Sequence, residues 1–240
     1  KAPGVGWESD KRVEGWMRVW AVSDIHVDFP KNAAFLERLV SHGRLHGEYQ
    51  NDVLIVAGDV SHVSNDVEWA LGEFKTIFGH VFYCPGNHDV WVTKTEARQG
   101  LTSWGKFTKI LESAHKAGAL TKPTTLETYT GRSVTIVPLF SWYDGSLQID
   151  CEDEEYNAYD LCTDSHMCRW GNGYPQNAEK DTKRQQQQHK PSMSRNNIPP
   201  HLVNVANFFH TLNTKNCQKL LAPIPLVPPP TAQGGGTLSG

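Results

Sequence analysis

Cys84-Pro85-Gly86-Asn87-His88-Asp89 follows directly on Val81-Phe82-Tyr83, an apolar run of the kind that forms a buried strand. An Asn-His pair is thereby placed in a tight turn where a strand stops and a loop begins. Two earlier stretches repeat the arrangement. Asp24-Ile25-His26 follows Met17-Arg18-Val19-Trp20-Ala21-Val22, and Gly58-Asp59 follows Val53-Leu54-Ile55-Val56-Ala57. In an open α/β sheet, that edge is where ligands bind.

Between these runs the apolar period changes from that of strands to that of helices. Phe35, Leu36, Leu39 and Val40 predict an amphipathic helix from Asn32, read as its cap, to about His42. Val67, Leu71, Phe74 and Phe78 predict a second helix with Asn65 as its cap. Phe107, Ile110, Leu111 and Ala114 predict a third over Ser103 to Ala117, after a mixed stretch from Trp91 to Leu101. Val134 to Leu139 is a fourth strand candidate. Strand, helix, strand, helix, strand is the pattern of a layered α/β fold.

The 240 residues suffice for one sizeable domain, with or without a tail. A net charge of −3 gives no electrostatic reason to expect nucleic acid or an anionic membrane as partner, so an anionic substrate needs metal or a local basic patch. The five cysteines are odd in number and lack a Cys-x-x-Cys spacing, which argues for reduced thiols in a cytoplasmic compartment. No apolar run approaches the ~18 residues of a membrane span, and no signal peptide is visible. The sequence starts at Lys1, so a targeting piece ahead of it stays open.

Asp24, His26, Asp59 and Asn87 offer three oxygen donors and one imidazole, a set that suits Mn, Fe or Zn. A carboxylate shared between two ions can hold them about 3.5–4 Å apart, and such a pair can clamp the attacking and leaving oxygens of a phosphoryl displacement. Asp59, on the central strand, is the candidate bridge. Water held between the ions becomes hydroxide near neutral pH. His88, free of the metals, suits proton donation to the leaving oxygen. Asp89 is read as orienting His88 or a neighbouring backbone group. Taken singly, each stretch also reads as a turn, a cap or a surface histidine. Three in order, each after a strand and spaced by one βα unit, favour the joint reading.

Asp24-Ile25-His26, Gly58-Asp59-Val60 and Gly86-Asn87-His88-Asp89 resemble the first three motifs of the metallophosphoesterase superfamily, the calcineurin-like phosphoesterases. The resemblance spans about Val19 to Trp170. It implies a two-sheet α/β sandwich flanked by helices around a dinuclear metal site, and a phosphate ester substrate. Asp24 and His26 would then hold the first metal, Asp59 bridge, Asn87 hold the second, and His88 act as the acid.

The family normally adds a later His and a Gly-His-x-His motif, for which His166, His189, His201 and His210 are unsuited. His42, His46, His62, His80 and His115 read as surface or packing residues. The second half of the sandwich is therefore expected to be incomplete, with an impaired or single-ion site, as in a truncated isoform. Residues 1–15 read as a lead-in, 16–170 as the partial phosphoesterase domain, and 171–240 as a Gln- and Pro-rich disordered tail with one marginal helix over His201 to Leu221. The competing functional reading is a catalytically silent regulatory isoform whose Pro223 to Pro230 segment engages an SH3-type or WW-type partner.

Overall fold

Three short parallel strands set the architecture: β1 (Val19–Val22), β2 (Val53–Val56) and β3 (His80–Tyr83), in the order β1-β2-β3. The computed structural model describes residues 17–128, 130–144, 162–170 and 200–218. Val19 pairs with Val53 and Val22 with Val56, and the register continues from Val53 to His80 and from Val56 to Tyr83. All three strands therefore end level, and their following loops lie side by side.

Alternation along β2 explains why it is apolar throughout. Leu54 and Val56 face a core shared with α1 (Pro30–His46), α2 (Ser64–Ile77) and α4 (Ser103–Lys116). Val53 and Ile55 face the opposite way, where with Phe82 they meet Leu126 and Ile136 of an antiparallel pair, β4 (Thr124–Glu127) and β5 (Ser133–Ile136). A strand covered on both faces has no place for a polar side chain. The result is a mixed α/β layering, with helices on one face of the parallel sheet and a second, two-stranded sheet on the other. Among the described residues no helix is long and apolar enough to cross a membrane.

Two helices differ from expectation at their starts, while α4 begins at Ser103 as expected. α1 begins at Pro30 with Phe29 as N-cap, and Asn32 instead donates its amide to the His26 carbonyl at 3.2 Å. Proline supplies the start because its fixed φ suits the first helical position. α2 is capped by Val63 rather than Asn65. The mixed stretch holds a short helix, α3 (Lys94–Arg98), closed by a capping box between Thr93 and Glu96. The strand expected over Val134 to Leu139 is β5, ending at Ile136, and its partner β4 has no strand period in sequence because Leu126 is its one apolar residue.

A further short helix, α5 (Thr163–Met167), precedes a segment pinned to the domain by Ser103, whose N–H donates to the Arg169 carbonyl and whose Oγ accepts the Arg169 N–H, both at 2.8 Å. Of the segment assigned to a tail, the described part is a helix, α6 (Pro200–Gln218), and it packs on the domain. Val205 and Phe209 are buried against Phe107, Phe140 and Trp170. Asn213 pairs with both backbone groups of Phe140, accepting its N–H at 3.0 Å and donating to its carbonyl at 2.6 Å. The Pro223 to Pro230 segment and the lead-in lie outside the described residues.

Candidate metal centre

Each of the three loops leaves the sheet at the carboxyl end of a strand, and the first is tied to the second through the backbone. Asp24 N–H donates to the Gly58 carbonyl at 3.2 Å, His26 N–H to the Asp59 carbonyl at 3.0 Å, and Val27 N–H to the Val60 carbonyl at 2.9 Å. The second and third loops touch through glycines. A Cβ on Gly58 would lie 2.5 Å from the Gly86 nitrogen, and one on Gly86 would lie 2.2 Å from Asp59 Oδ1. Gly86 is thus required by the passage of the Asp59 side chain. Gly58 is required also by its φ of +83°.

Asp24, His26 and Asp59 adopt φ of 55°, 41° and 54°, and they are the described non-glycine residues with positive φ. Left-handed backbone costs a non-glycine residue about 1–3 kcal/mol and persists only where its surroundings fix it. Here the fixing agents are the loop-to-loop bonds and the carboxylate of Asp89. That carboxylate is fully buried and accepts five hydrogen bonds, from the backbone N–H of Asp59, Val60, Ser61 and Gly86 and from the Tyr83 hydroxyl, at 2.8–3.0 Å. Asp89 therefore orders backbone from the second and third loops. Burial pushes its carboxyl up to about 6, while the Gly86 and Ser61 N–H groups and the Tyr83 hydroxyl act in the opposite direction. Burial likewise pushes Cys84 up to about 11, and its thiol donates to the Leu139 carbonyl, so it is no thiolate ligand at neutral pH.

The loops gather the donor atoms of Asp24, His26 and Asp59 within 4.8 Å of one another, with Asp24 exposed and the other two half-buried. A second group within the same distance comprises His26, Asp28 and His88. Asp28 was not anticipated, although it continues the alternation Asp24, His26, Asp28 along one loop. His62, expected at the surface or in packing, instead meets the site. Its Nδ1 lies 3.3 Å from Asp28 Oδ2 and 3.4 Å from His88 Nε2, because the turn into α2 folds back over the site. Its position three residues after Asp59 was the available signal.

His88 is buried, donates its backbone N–H to Asp59 Oδ1 at 3.0 Å, and places Nε2 3.1 Å from Asp28 Oδ2. Burial lowers its imidazole below the ordinary value, Asp28 opposes this, and neighbouring His26 and His62 add to the lowering. Asn87 is exposed and donates its amide to Asp164 Oδ1 at 3.0 Å.

Two buried atoms in the site have no partner, His26 Nδ1 and Asp28 Oδ1. Buried polar groups are normally paired, and an imidazole nitrogen and a carboxylate oxygen left over beside further carboxylates fit a divalent cation. The mixed oxygen and nitrogen donors suit Mn, Fe or Zn.

Comparison with known proteins bears on the family and the fold. The family model described as calcineurin-like phosphoesterase matches residues 17–202. The acyl-carrier-protein phosphodiesterase PptH of Mycobacterium tuberculosis (strain ATCC 25618 / H37Rv) is 31% identical over 130 residues, which cover 53% of this chain and 38% of that protein. The chain thus matches well under half the length of that relative. The crystal structure of the phosphopantetheinyl hydrolase PptH from Mycobacterium tuberculosis aligns with a TM-score of 0.51 at 24% identity, covering 73% of this chain and 65% of that one. That likeness is one of fold.

Proposed function

This chain belongs to the calcineurin-like phosphoesterase family, and from that premise we propose that it is a metal-dependent phosphoric ester hydrolase whose working site is the loop cluster at the ends of β1, β2 and β3. The observation that carries the reading is the strained placement of Asp24, His26 and Asp59, three ligand-type side chains held at left-handed backbone with their donor atoms within 4.8 Å. Strain of this kind collects where function needs a fixed side chain.

In this reading Asp24, His26 and Asp59 would hold a first divalent cation, and Asp59 with Asn87 would hold a second. Such ions supply Lewis acidity, neutralising the charge on the ester and lowering the pKa of water. His88 carries the proton for the leaving oxygen. Asp28, 3.1 Å from His88 Nε2, orients that imidazole and favours its protonated form, and His62 Nδ1 shares the same carboxylate oxygen at 3.3 Å. Asp89 keeps the backbone of the second and third loops in place, so that neither carboxylate nor imidazole needs to reorganise during the reaction.

The name of the sequence relative points to a phosphodiester as the first substrate class to test, with a carrier-protein phosphodiester as its natural form. The full chain loaded with Mn2+ is expected to hydrolyse a generic aryl phosphodiester, to lose this activity to chelator, and to lose it in Asp59→Asn. Turnover unaffected by both chelator and Asp59→Asn would overturn the proposal.

A further inference from the structure

We propose that Asp164 is a positioning residue for this site, fixing the side chain of Asn87 so that its carbonyl oxygen is the atom offered to the second cation. The inference rests on the reading of Asn87 as a ligand. Asp164 lies on α5, 77 residues beyond Asn87, and is 3% exposed. A carboxylate so deeply buried is costly unless donors surround it. Three do. Asn87 Nδ2 and Trp91 Nε1 donate to Oδ1 at 3.0 and 2.6 Å, and the Tyr143 hydroxyl donates to Oδ2 at 3.3 Å.

The consequence for Asn87 is chemical. A carboxamide has an edge with two donors and an edge with only an acceptor, and an exposed one can present either. Only the oxygen can bind a cation. Against a carboxylate only the NH2 edge fits, since the other orientation would set oxygen against oxygen. Asp164 therefore commits the amide nitrogen to one side and leaves the lone pairs of Oδ1 on the other. Trp91 and Tyr143 in turn hold the Asp164 carboxylate in place. The main chain of the same loop is held by a different carboxylate, Asp89, through Gly86 N–H. Backbone and side chain of the ligand loop thus have separate anchors, the second supplied from far along the sequence.

The test counts and weighs Mn2+ ions on the full chain by native mass spectrometry and calorimetry. The wild type is expected to take two ions and Asn87→Ala one. Asp164→Leu is expected to keep the first ion at wild-type affinity and to weaken the second about 10–100-fold, the usual effect of removing a group that orients a ligand. Asp164→Asn retains an acceptor facing both Asn87 and Trp91 and is expected to bind the second ion more tightly than Asp164→Leu does. Should the leucine variant lose its fold by circular dichroism, Asp164→Glu decides, because it keeps the charge and displaces the oxygen by one methylene. Unchanged affinity for both ions in the folded Asp164 variants, with Asn87→Ala reduced to one, would overturn the positioning role and leave the ligand assignment standing. Equal ion counts in wild type and Asn87→Ala would overturn the ligand assignment and this inference together.

Discussion

The carboxylate of Asp89, at the end of the third loop, accepts the backbone N–H of Asp59 on the second at 3.0 Å, so one side chain sets the conformation from which another presents its own carboxylate. Oδ1 also takes the N–H groups of Val60 and Ser61, and Oδ2 takes those of Asp59 and Gly86 with the Tyr83 hydroxyl. Asparagine cannot replace it, because either orientation turns an NH2 toward at least two N–H donors. Asp89→Asn is expected to lose at least about 2 kcal/mol in urea denaturation and to weaken Mn2+ binding. Tyr83→Phe, which removes one donor of five, should cost about 1 kcal/mol. Similar losses for the two variants would contradict this account of the clamp.

Gly86 faces the Asp59 side chain so closely that a methyl group has no room. Gly86→Ala is expected to destabilise by about 1–3 kcal/mol and to displace the Asp59 carboxylate, weakening Mn2+ binding in the fraction that folds. Gly72, on α2, offers the control, since a Cβ there meets nothing within 4 Å. Gly72→Ala should be neutral or stabilise by up to about 1 kcal/mol. Thermal melts of the two proteins with and without Mn2+ check both statements.

Docking of α6 depends on Phe209, which is 3% exposed and sits among the rings of Trp104, Phe107, Phe140 and Trp170. Phe209→Ala is expected to cost about 3–5 kcal/mol if the helix is part of the domain. Asn213→Ala, which removes two hydrogen bonds to the Phe140 backbone, should cost about 1–2 kcal/mol. A free tail would show neither loss in chemical denaturation.

Glu96 supplies the pH dependence. Burial raises its carboxyl, but the Lys106 ammonium at 2.5 Å and the Thr93 N–H outweigh this and hold it below the ordinary value of 4.5. A carboxyl depressed on folding contributes stability above its unfolded pKa and loses it as pH falls through the folded one. The difference in melting temperature between wild type and Glu96→Gln should therefore be constant above about pH 5 and shrink below about pH 4. Lys106 is 1% exposed, so the variant should lose about 1–3 kcal/mol at neutral pH.

The parallel sheet was legible because β2 and β3 are apolar on both faces and each runs into turn residues, a signal that survives without knowledge of the partners. The starts of α1 and α2 were not, since Asn32 and Asn65 carry capping chemistry but Pro30 and the turn before Ser64 come first along the chain, whereas α4 starts at Ser103 as its apolar period implies. β4 was invisible because a strand with one face in water and a single buried leucine has no apolar period. At the site, the sequence brought forward Asp24, His26, Asp59, Asn87, His88 and Asp89 as a set. Asp28 and His62 were passed over because their chemistry appears only when the first two loops fold against His88. Asp164 lay beyond reach for the same reason at greater distance. Its partner Asn87 is 77 residues away, and an aspartate near the start of a five-residue helix carries no local signal. The packed helix α6 was read as marginal because the aromatic surface that receives it is assembled from α4, Phe140 and Trp170.

Asp24, His26 and Asp59 are together expected to hold a divalent cation. Crystals of the full chain soaked in Mn2+, measured for anomalous scattering, test this placement. A peak is expected within bonding distance of all three side chains and should be lost in Asp59→Asn crystals of the same form. An empty map at that position under saturating Mn2+, with the loops ordered, would contradict it.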